Sequence, residues 1–236
     1  VVACGGDGLQ NLVATEAILV AGTMACLPMG RGNDFARSLG INGSQDFKKV
    51  LSNPTISEVR YLKLKFKNIT KISLTCAGVG LLSEAAFRAS NLPILKGRIL
   101  YAVAALMSFI KLKNHSYEVD FGADSLKERL LILAGAASEY TGGGMLLAPN
   151  ARKYIKGVNL LYARKASRFD ALKLLGQVFL GGHLENRLVE DLNVRKLLIR
   201  TTEENAWASF VYGDGEYLGN LPVTIEVGTR ALKVLV

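Results

Sequence analysis

Val1-Val2-Ala3-Cys4-Gly5-Gly6-Asp7-Gly8 opens the chain: an apolar run stops at three glycines wrapped around one carboxylate. Leu9 to about Leu19 follows with helical spacing, through Leu12, Val13, Glu16, Ala17 and Leu19. The same order then repeats. "MACLPMG" reads as a second short strand, and "GRGNDFARSLGI" as a second glycine corner. That corner leads into a short helix through Phe35, Ala36 and Leu39, capped by Asn33 or Asp34. Strand, turn and helix, twice over, is the rhythm of an α/β domain with a mostly parallel sheet.

A glycine corner between strand and helix lets backbone N–H groups approach a phosphate at the positive end of the helix dipole. Gly5, Gly6 and Gly8 suit that use. Asp7 does not, because two anions repel. It makes sense there if it holds a Mg²⁺ ion that bridges phosphates. An ordinary Gly-Asp-Gly turn accounts for GGDG alone. Gly30, Arg31, Gly32, Asn33 and Asp34 supply a second corner at the end of the neighbouring strand. Open α/β sheets bind ligands at that edge, and two such corners side by side outweigh coincidence.

Beyond Asn42 the texture changes. "DFKKVLSN" reads as a helix stopped by Pro54, and Ile56 to Gly80 as strands, in "EVRYLKLKFKN" and "KISLTCAGVG". Further strands are expected over 116–121, 129–136, 158–163, 194–201, 208–212 and 223–227, and helices over 82–90, 99–112 and 169–180. The chain thus divides into an α/β nucleotide-binding domain over 1–55 and a β-rich domain over 56–227, with residues from about 228 to 236 returning to the first. The front piece holds only about one and a half βαβ units, where a parallel sheet needs several, so the α/β domain reads as incomplete at its N-terminus.

The bulk numbers agree with this division. The chain's 236 residues make one large domain or two small ones. With 29 Lys and Arg against 20 Asp and Glu, the net charge of +9 suits phosphorylated ligands, nucleic acid or an acidic membrane surface. Cys4, Cys26 and Cys76 are too scattered for a disulfide framework and read as thiols in a reducing compartment. The longest apolar run, Ile99 to Ile110, is shorter than the roughly 20 residues a bilayer span needs. His115 and His183 lack partners at metal or triad spacing and read as structural. Trp207 and the tyrosines are scattered, so no stacking platform for nucleic acid is expected.

GGDG followed by "PMGRGNDFAR" resembles the diacylglycerol kinase catalytic family, and "GNDFAR" its bacterial diacylglycerol kinase and YegS-like branch, with sphingosine kinases as relatives. "YTGGGMLLAPNA" (140–151) and "YGDGEYLGNLP" (212–222) resemble later segments of that branch, in the same order. The resemblance implies a three-layer α/β nucleotide-binding domain followed by a β-sandwich-like domain. ATP and a membrane lipid would meet in the cleft between them. It also implies roles. Asp7, with Gly5, Gly6 and Gly8, would sit at the ATP phosphates, and Gly30, Arg31, Gly32, Asn33 and Asp34 would line the same cleft. Asp7 and Asp34 would belong to a Mg²⁺-linked acidic network, and Asp214 would be the general base that deprotonates the lipid hydroxyl. Glu216 would share Asp214's side of an extended segment, holding metal or orienting Asp214. Asp214-Gly215 alone is equally a hairpin signal. The implied enzyme is cytoplasmic, peripheral to the membrane and active in phospholipid biosynthesis; its oligomeric state stays open, a homodimer included.

Four departures bear on that reading. Leu9 replaces a threonine, Arg31 stands where Thr or Ser is common, and Leu62-Lys63-Leu64 replaces a run centred on Asp. "RKYIKG" (152–157) replaces an acidic loop that holds a structural Mg²⁺ in family members. Two alternatives therefore stay open: a catalytically silent lipid- or nucleotide-binding relative, and a soluble-substrate kinase of the NAD kinase type. "PMGRGNDFAR" speaks against the second. Finally, Arg152, Lys153, Lys156, Arg164, Lys165 and Arg168 crowd 152–168 with no acid among them. That stretch is expected to meet an anionic membrane, at about 1 kcal/mol per cation, or else to form a solvated basic rim.

Overall fold

A computed structural model describes residues 1–90, 99, 103, 107, 112–154 and 156–236. Strands β1 (Val2–Gly5) and β2 (Thr23–Pro28) run parallel, joined by helix α1 (Asp7–Leu19). Two short helices follow, α2 (Asp34–Ser38) and α3 (Ser44–Ser52). Ala14, Ala17 and Ile18 of α1, with Phe35 and Phe47, close the core over Ala3, Met24 and Cys26. Phe47 and Val50 are the buried residues of α3, a helix whose other positions are mostly polar.

This first sheet has four strands in the order β1-β2-β15-β3. The last strand of the chain, β15 (Leu232–Leu235), inserts parallel to β2. β3 (Ile56–Val59) covers its other edge antiparallel. The run from 56 to 66, read as continuous strand of the second domain, is therefore two strands in two sheets. The break falls at Arg60 and Tyr61. There Gly228 N donates to Tyr61 O at 2.9 Å as the chain crosses back, and a Cβ on Gly228 would meet the Tyr61 ring at 2.1 Å. Glycine is what lets the two crossings lie against each other.

The second sheet holds eleven strands: β4 (Leu62–Lys65), β5 (Thr70–Ser73), β6 (Cys76–Gly80), β7 (His115–Phe121), β8 (Asp124–Ala136), β9 (Val158–Arg164), β10 (Val189–Val194), β11 (Lys196–Arg200), β12 (Phe210–Gly213), β13 (Glu216–Asn220) and β14 (Val223–Val227). Long β8 belongs to two groups: its first half pairs with β7 and its second half with β6 and β9. Leu62, Val119, Leu133, Leu160, Leu197 and Ile225 pack between the layers. β9 alternates Leu160 and Tyr162 into that core against Leu161 and Ala163 on the other face, so its sequence reads as apolar throughout.

Helices α4 (Leu81–Ser90) and α5 (Arg168–Val178) cover the outer face of β6, β8 and β9. Ser167 caps α5: its hydroxyl accepts from Asp170 N, and the Asp170 carboxylate accepts from Ser167 N. The strand expected over 194–201 divides between β10 and β11, and 206–209 is helical before β12 begins. Of the helix expected over 99–112, all but isolated positions lies outside the described residues. Among the described residues no helix is long and apolar enough to cross a membrane.

Candidate active site

The two glycine corners touch through their backbones. A Cβ on Gly30 would lie 2.2 Å from Gly6 Cα, and one on Gly6 would lie 2.9 Å from Gly30 Cα. No other residue fits at either place. Asp7 fastens the corners together: Oδ2 accepts from Asn33 N at 2.7 Å and Oδ1 from Phe35 N at 3.2 Å. The carboxylate between glycines thus sits at the N-terminus of α2, where a negative charge is favoured. Asn33, in the left-handed region at φ 58°, closes its own corner through side-chain bonds to Gly30 N and Gly30 O. Gly32 is buried between them. Arg31 points Nη1 toward Ala89 O at 3.4 Å, at the C-terminal end of α4.

Asp34 joins the two domains. It is buried, and its oxygens accept from Gly143 N at 2.8 Å and Gly144 N at 2.6 Å, within the glycine-rich segment after β8. Gly142, Gly143 and Gly144 all have positive φ, which aims their N–H groups inward. Burial and the nearby Asp7 push the Asp34 carboxyl up to about 7, against the pull of the two glycine N–H groups. Burial, with Asp214 beside it, raises Asp7 as well.

Asp214 sits in a tight hairpin between β12 and β13, with φ 51° at Asp214 and 80° at Gly215. The Asp-Gly hairpin and the candidate base are one feature: the turn projects the carboxylate inward, where it is buried. Oδ2 accepts from Asn11 Nδ2 and Leu74 N, each at 2.7 Å. Oδ1 accepts from Thr75 N at 2.9 Å and Thr75 Oγ1 at 2.6 Å, and lies 3.0 Å from Ser73 Oγ. Asn11 and the 73–75 segment were absent from the sequence-based site. Asn11 follows another polar residue, Gln10, in "LQNLVA", and nothing in that pattern marks it as a partner of Asp214. Because the chain turns at 214, Glu216 is not on an extended path beside Asp214. It is exposed at the start of β13, and its Oε1 would lie 3.2 Å from a Cβ on Gly8.

Asp7, Asp34 and Asp214 nevertheless line one cavity, of about 1020 Å³ including its open mouth. Away from the carboxylates its walls are apolar: Leu81 and Ala85 of α4, Leu131 of β8, Leu161 of β9, Leu174 and Val178 of α5. His183, expected to be structural, borders it with Nε2 on Leu147 O at 2.8 Å, and burial lowers its pKa. His115 is paired elsewhere, Nδ1 to Glu203 Oε2 at 2.7 Å.

The donor set fits a phosphate-borne magnesium ion. Asp34 takes one backbone donor at each oxygen, and Asp7 takes three in all, from Asn33, Phe35 and Asp34, so a lone-pair site remains on each carboxylate. No group of three His, Cys, Asp or Glu able to hold a metal occurs among the described residues, and Mg²⁺ habitually takes one or two carboxylates plus substrate phosphates. The loop over 152–157 is held by a different cation. Arg60, at the crossing between sheets, donates to the carbonyls of Ala137, Ala151, Tyr154 and Gly157.

Family models match both parts of the chain: the diacylglycerol kinase catalytic domain over residues 1–64, and the YegS C-terminal NAD kinase beta sandwich-like domain over 75–236. The chain belongs to the diacylglycerol kinase and YegS-like lipid kinase family. By family it is a kinase. It is 26% identical to a diacylglycerol kinase of Mycobacterium tuberculosis over all of this chain and 76% of that protein. It is 30% identical to a probable lipid kinase YegS-like of Pseudomonas aeruginosa, over 99% of this chain and 75% of the relative. A crystal structure of a putative diacylglycerol kinase from Bacillus anthracis str. Sterne superposes with a TM-score of 0.76 at 18% identity, over 99% of this chain and 75% of that one.

Proposed function

We propose that this protein transfers the γ-phosphoryl group of ATP to the hydroxyl of an acyl lipid such as diacylglycerol. One observation carries the reading: three carboxylates from chain-distant corners line the same chamber as a set of apolar walls. A phosphoryl acceptor with hydrocarbon chains matches both ends, whereas a soluble nucleotide acceptor leaves the apolar walls without a partner.

The open first turn of α1, with Gly5, Gly6 and Gly8, offers backbone N–H groups to the ATP phosphates. Mg²⁺, when bound, neutralises phosphate charge; Asp7 and Asp34 are the carboxylates placed to hold it. Asp214 orients the lipid hydroxyl and takes its proton. Its four lone-pair sites face five donors, so one donor must yield. Ser73 can, because its single hydroxyl proton also has Cys76 O at 2.9 Å. The four donors left still fill the four sites, so the Thr75 hydroxyl must turn away too before Oδ1 can take the lipid proton. Phosphoryl transfer needs little more than position and charge neutralisation, with a base adding about 10²–10⁴-fold.

A catalytically silent lipid-binding relative is the second reading. It draws on the crowded Asp214 carboxylate and on Leu9 in place of a hydroxyl. Labelled ATP, offered with diacylglycerol, phosphatidylglycerol, a sphingoid base and NAD⁺ to the full-length protein, separates the two. Transfer to an acyl lipid is expected. Transfer to none, with nucleotide still bound, selects the silent relative, and transfer to NAD⁺ alone overturns the lipid reading.

A further inference from the structure

We propose that helix α5, with the turn after it, is the face by which this protein docks on an anionic bilayer. One helix then serves as both chamber wall and membrane contact. The inference rests on the lipid reading above. Ala171, Leu174 and Val178 of α5 face the chamber. At about 100° per residue, Phe169 falls on the opposite side and Leu172 on the flank between. They are 77% and 49% exposed, and Leu180, just past the helix, is 85% exposed.

Single exposed apolar residues are ordinary. Here a phenylalanine and two leucines share one short helix and its end, and cations surround them. Lys165, Arg168, Lys173 and Arg187 are exposed along this edge. The helix's one acid, Asp170, is tied into its cap by Ser167 Oγ at 2.7 Å. Glu185 is the acid of the turn that follows. Apolar side chains that sink into the acyl boundary, ringed by cations at the level of the headgroups, describe an interfacial helix on an anionic membrane. The substrate also argues for this occupant, because an acyl lipid reaching the chamber from a bilayer arrives beside the helix that walls it.

The contact expected over 152–168 shifts accordingly. Arg152 is paired with Glu139 at 2.9 Å, and Arg164 with Glu128 at 2.6 Å and Glu190 at 3.5 Å. The cationic edge therefore moves to Lys165–Lys173, onto α5 itself.

Flotation of the full-length protein with vesicles of phosphatidylcholine, alone or mixed with phosphatidylglycerol, tests this. Binding should favour the anionic vesicles. The triple variant Phe169→Ser/Leu172→Ser/Leu180→Ser should lower the partition coefficient at least about tenfold. Lys165→Gln/Lys173→Gln should lower it several-fold and flatten its dependence on salt. Leu12→Ser/Leu19→Ser removes comparably exposed side chains from α1 and should leave it unchanged. Melting curves show that each variant is folded. Undiminished vesicle binding by the triple variant overturns the proposal, as does a dimer that the triple variant dissociates. The lipid-kinase reading is tested apart from it, by transfer from ATP to water-dispersed dioctanoylglycerol with the unmodified protein. If that transfer fails while vesicle binding still depends on α5, the docking face stands and the kinase reading falls.

Discussion

Asp7, Asp34 and Asp214 line the chamber and together take backbone donation from Asn33, Phe35, Gly143, Gly144, Leu74 and Thr75. Leu131, Leu161 and Leu174 line it as walls without a charged side chain. The acidic lining is made of turns, each fixed by a few adjacent residues whose backbone amides point at one carboxylate. The apolar lining is made of side chains contributed by two helices and two strands. The two linings therefore fail differently. A change in the acidic lining removes a defined donor or acceptor, while a change in the apolar lining alters volume.

The largest effect belongs to the acidic lining. Asp214→Asn removes the proton acceptor and sets an NH₂ group against N–H donors. Transfer to diacylglycerol should fall about 10²–10⁴-fold, measured by labelled phosphate in the lipid phase. Unchanged turnover would take Asp214 out of the reaction. Gly30→Ala drives a methyl group into Gly6 and must part the two corners. The expected result is a melting temperature lower by several degrees, about 1–3 kcal/mol, together with weaker ATP binding by calorimetry.

A change in the apolar lining should instead alter selectivity. Ala171→Phe adds a ring where α5 faces the chamber. It should lower kcat/KM for long-chain relative to short-chain diacylglycerol by about tenfold or more. An unchanged ratio would place the acyl chains elsewhere.

Stability also depends on pH, in buffer free of divalent cations. Asp34 titrates near 3.8 in the unfolded chain and at about 7 when folded. Between those values the folded state holds a proton that the unfolded state has lost. Its contribution to stability therefore falls as pH rises across that window and levels off above it. Asp34→Asn should remove this slope in urea titrations. An equal slope in both proteins would assign it to other groups.

The same contrast explains how much was legible in the sequence. GGDG, GRGND and YGDG stood out because a turn is encoded by adjacent residues, and the structure brings all three to one cavity. What those acids bind was not legible. Asp34 meets Gly143 and Gly144 across 109 and 110 positions, and Asn11 meets Asp214 across 203. Spacing along the chain carries no record of such meetings. The chamber stayed hidden for a related reason. Leu161 and Ala163 read simply as strand core, and only the arrival of α4 and α5 leaves space beside them. Arg60 looked like one charge in an alternating strand; its carbonyl partners lie 77 to 97 positions on.

A diacylglycerol with a photoactivatable group at its acyl terminus, bound to the full-length protein and mapped by mass spectrometry, tests most directly whether the acidic and apolar linings serve one site. Crosslinks should fall on inward positions of β8, β9 and α5, such as Leu131, Leu161 and Leu174, and unlabelled diacylglycerol should suppress them. Crosslinks confined to surfaces outside the chamber, or indifferent to competitor, would contradict the account.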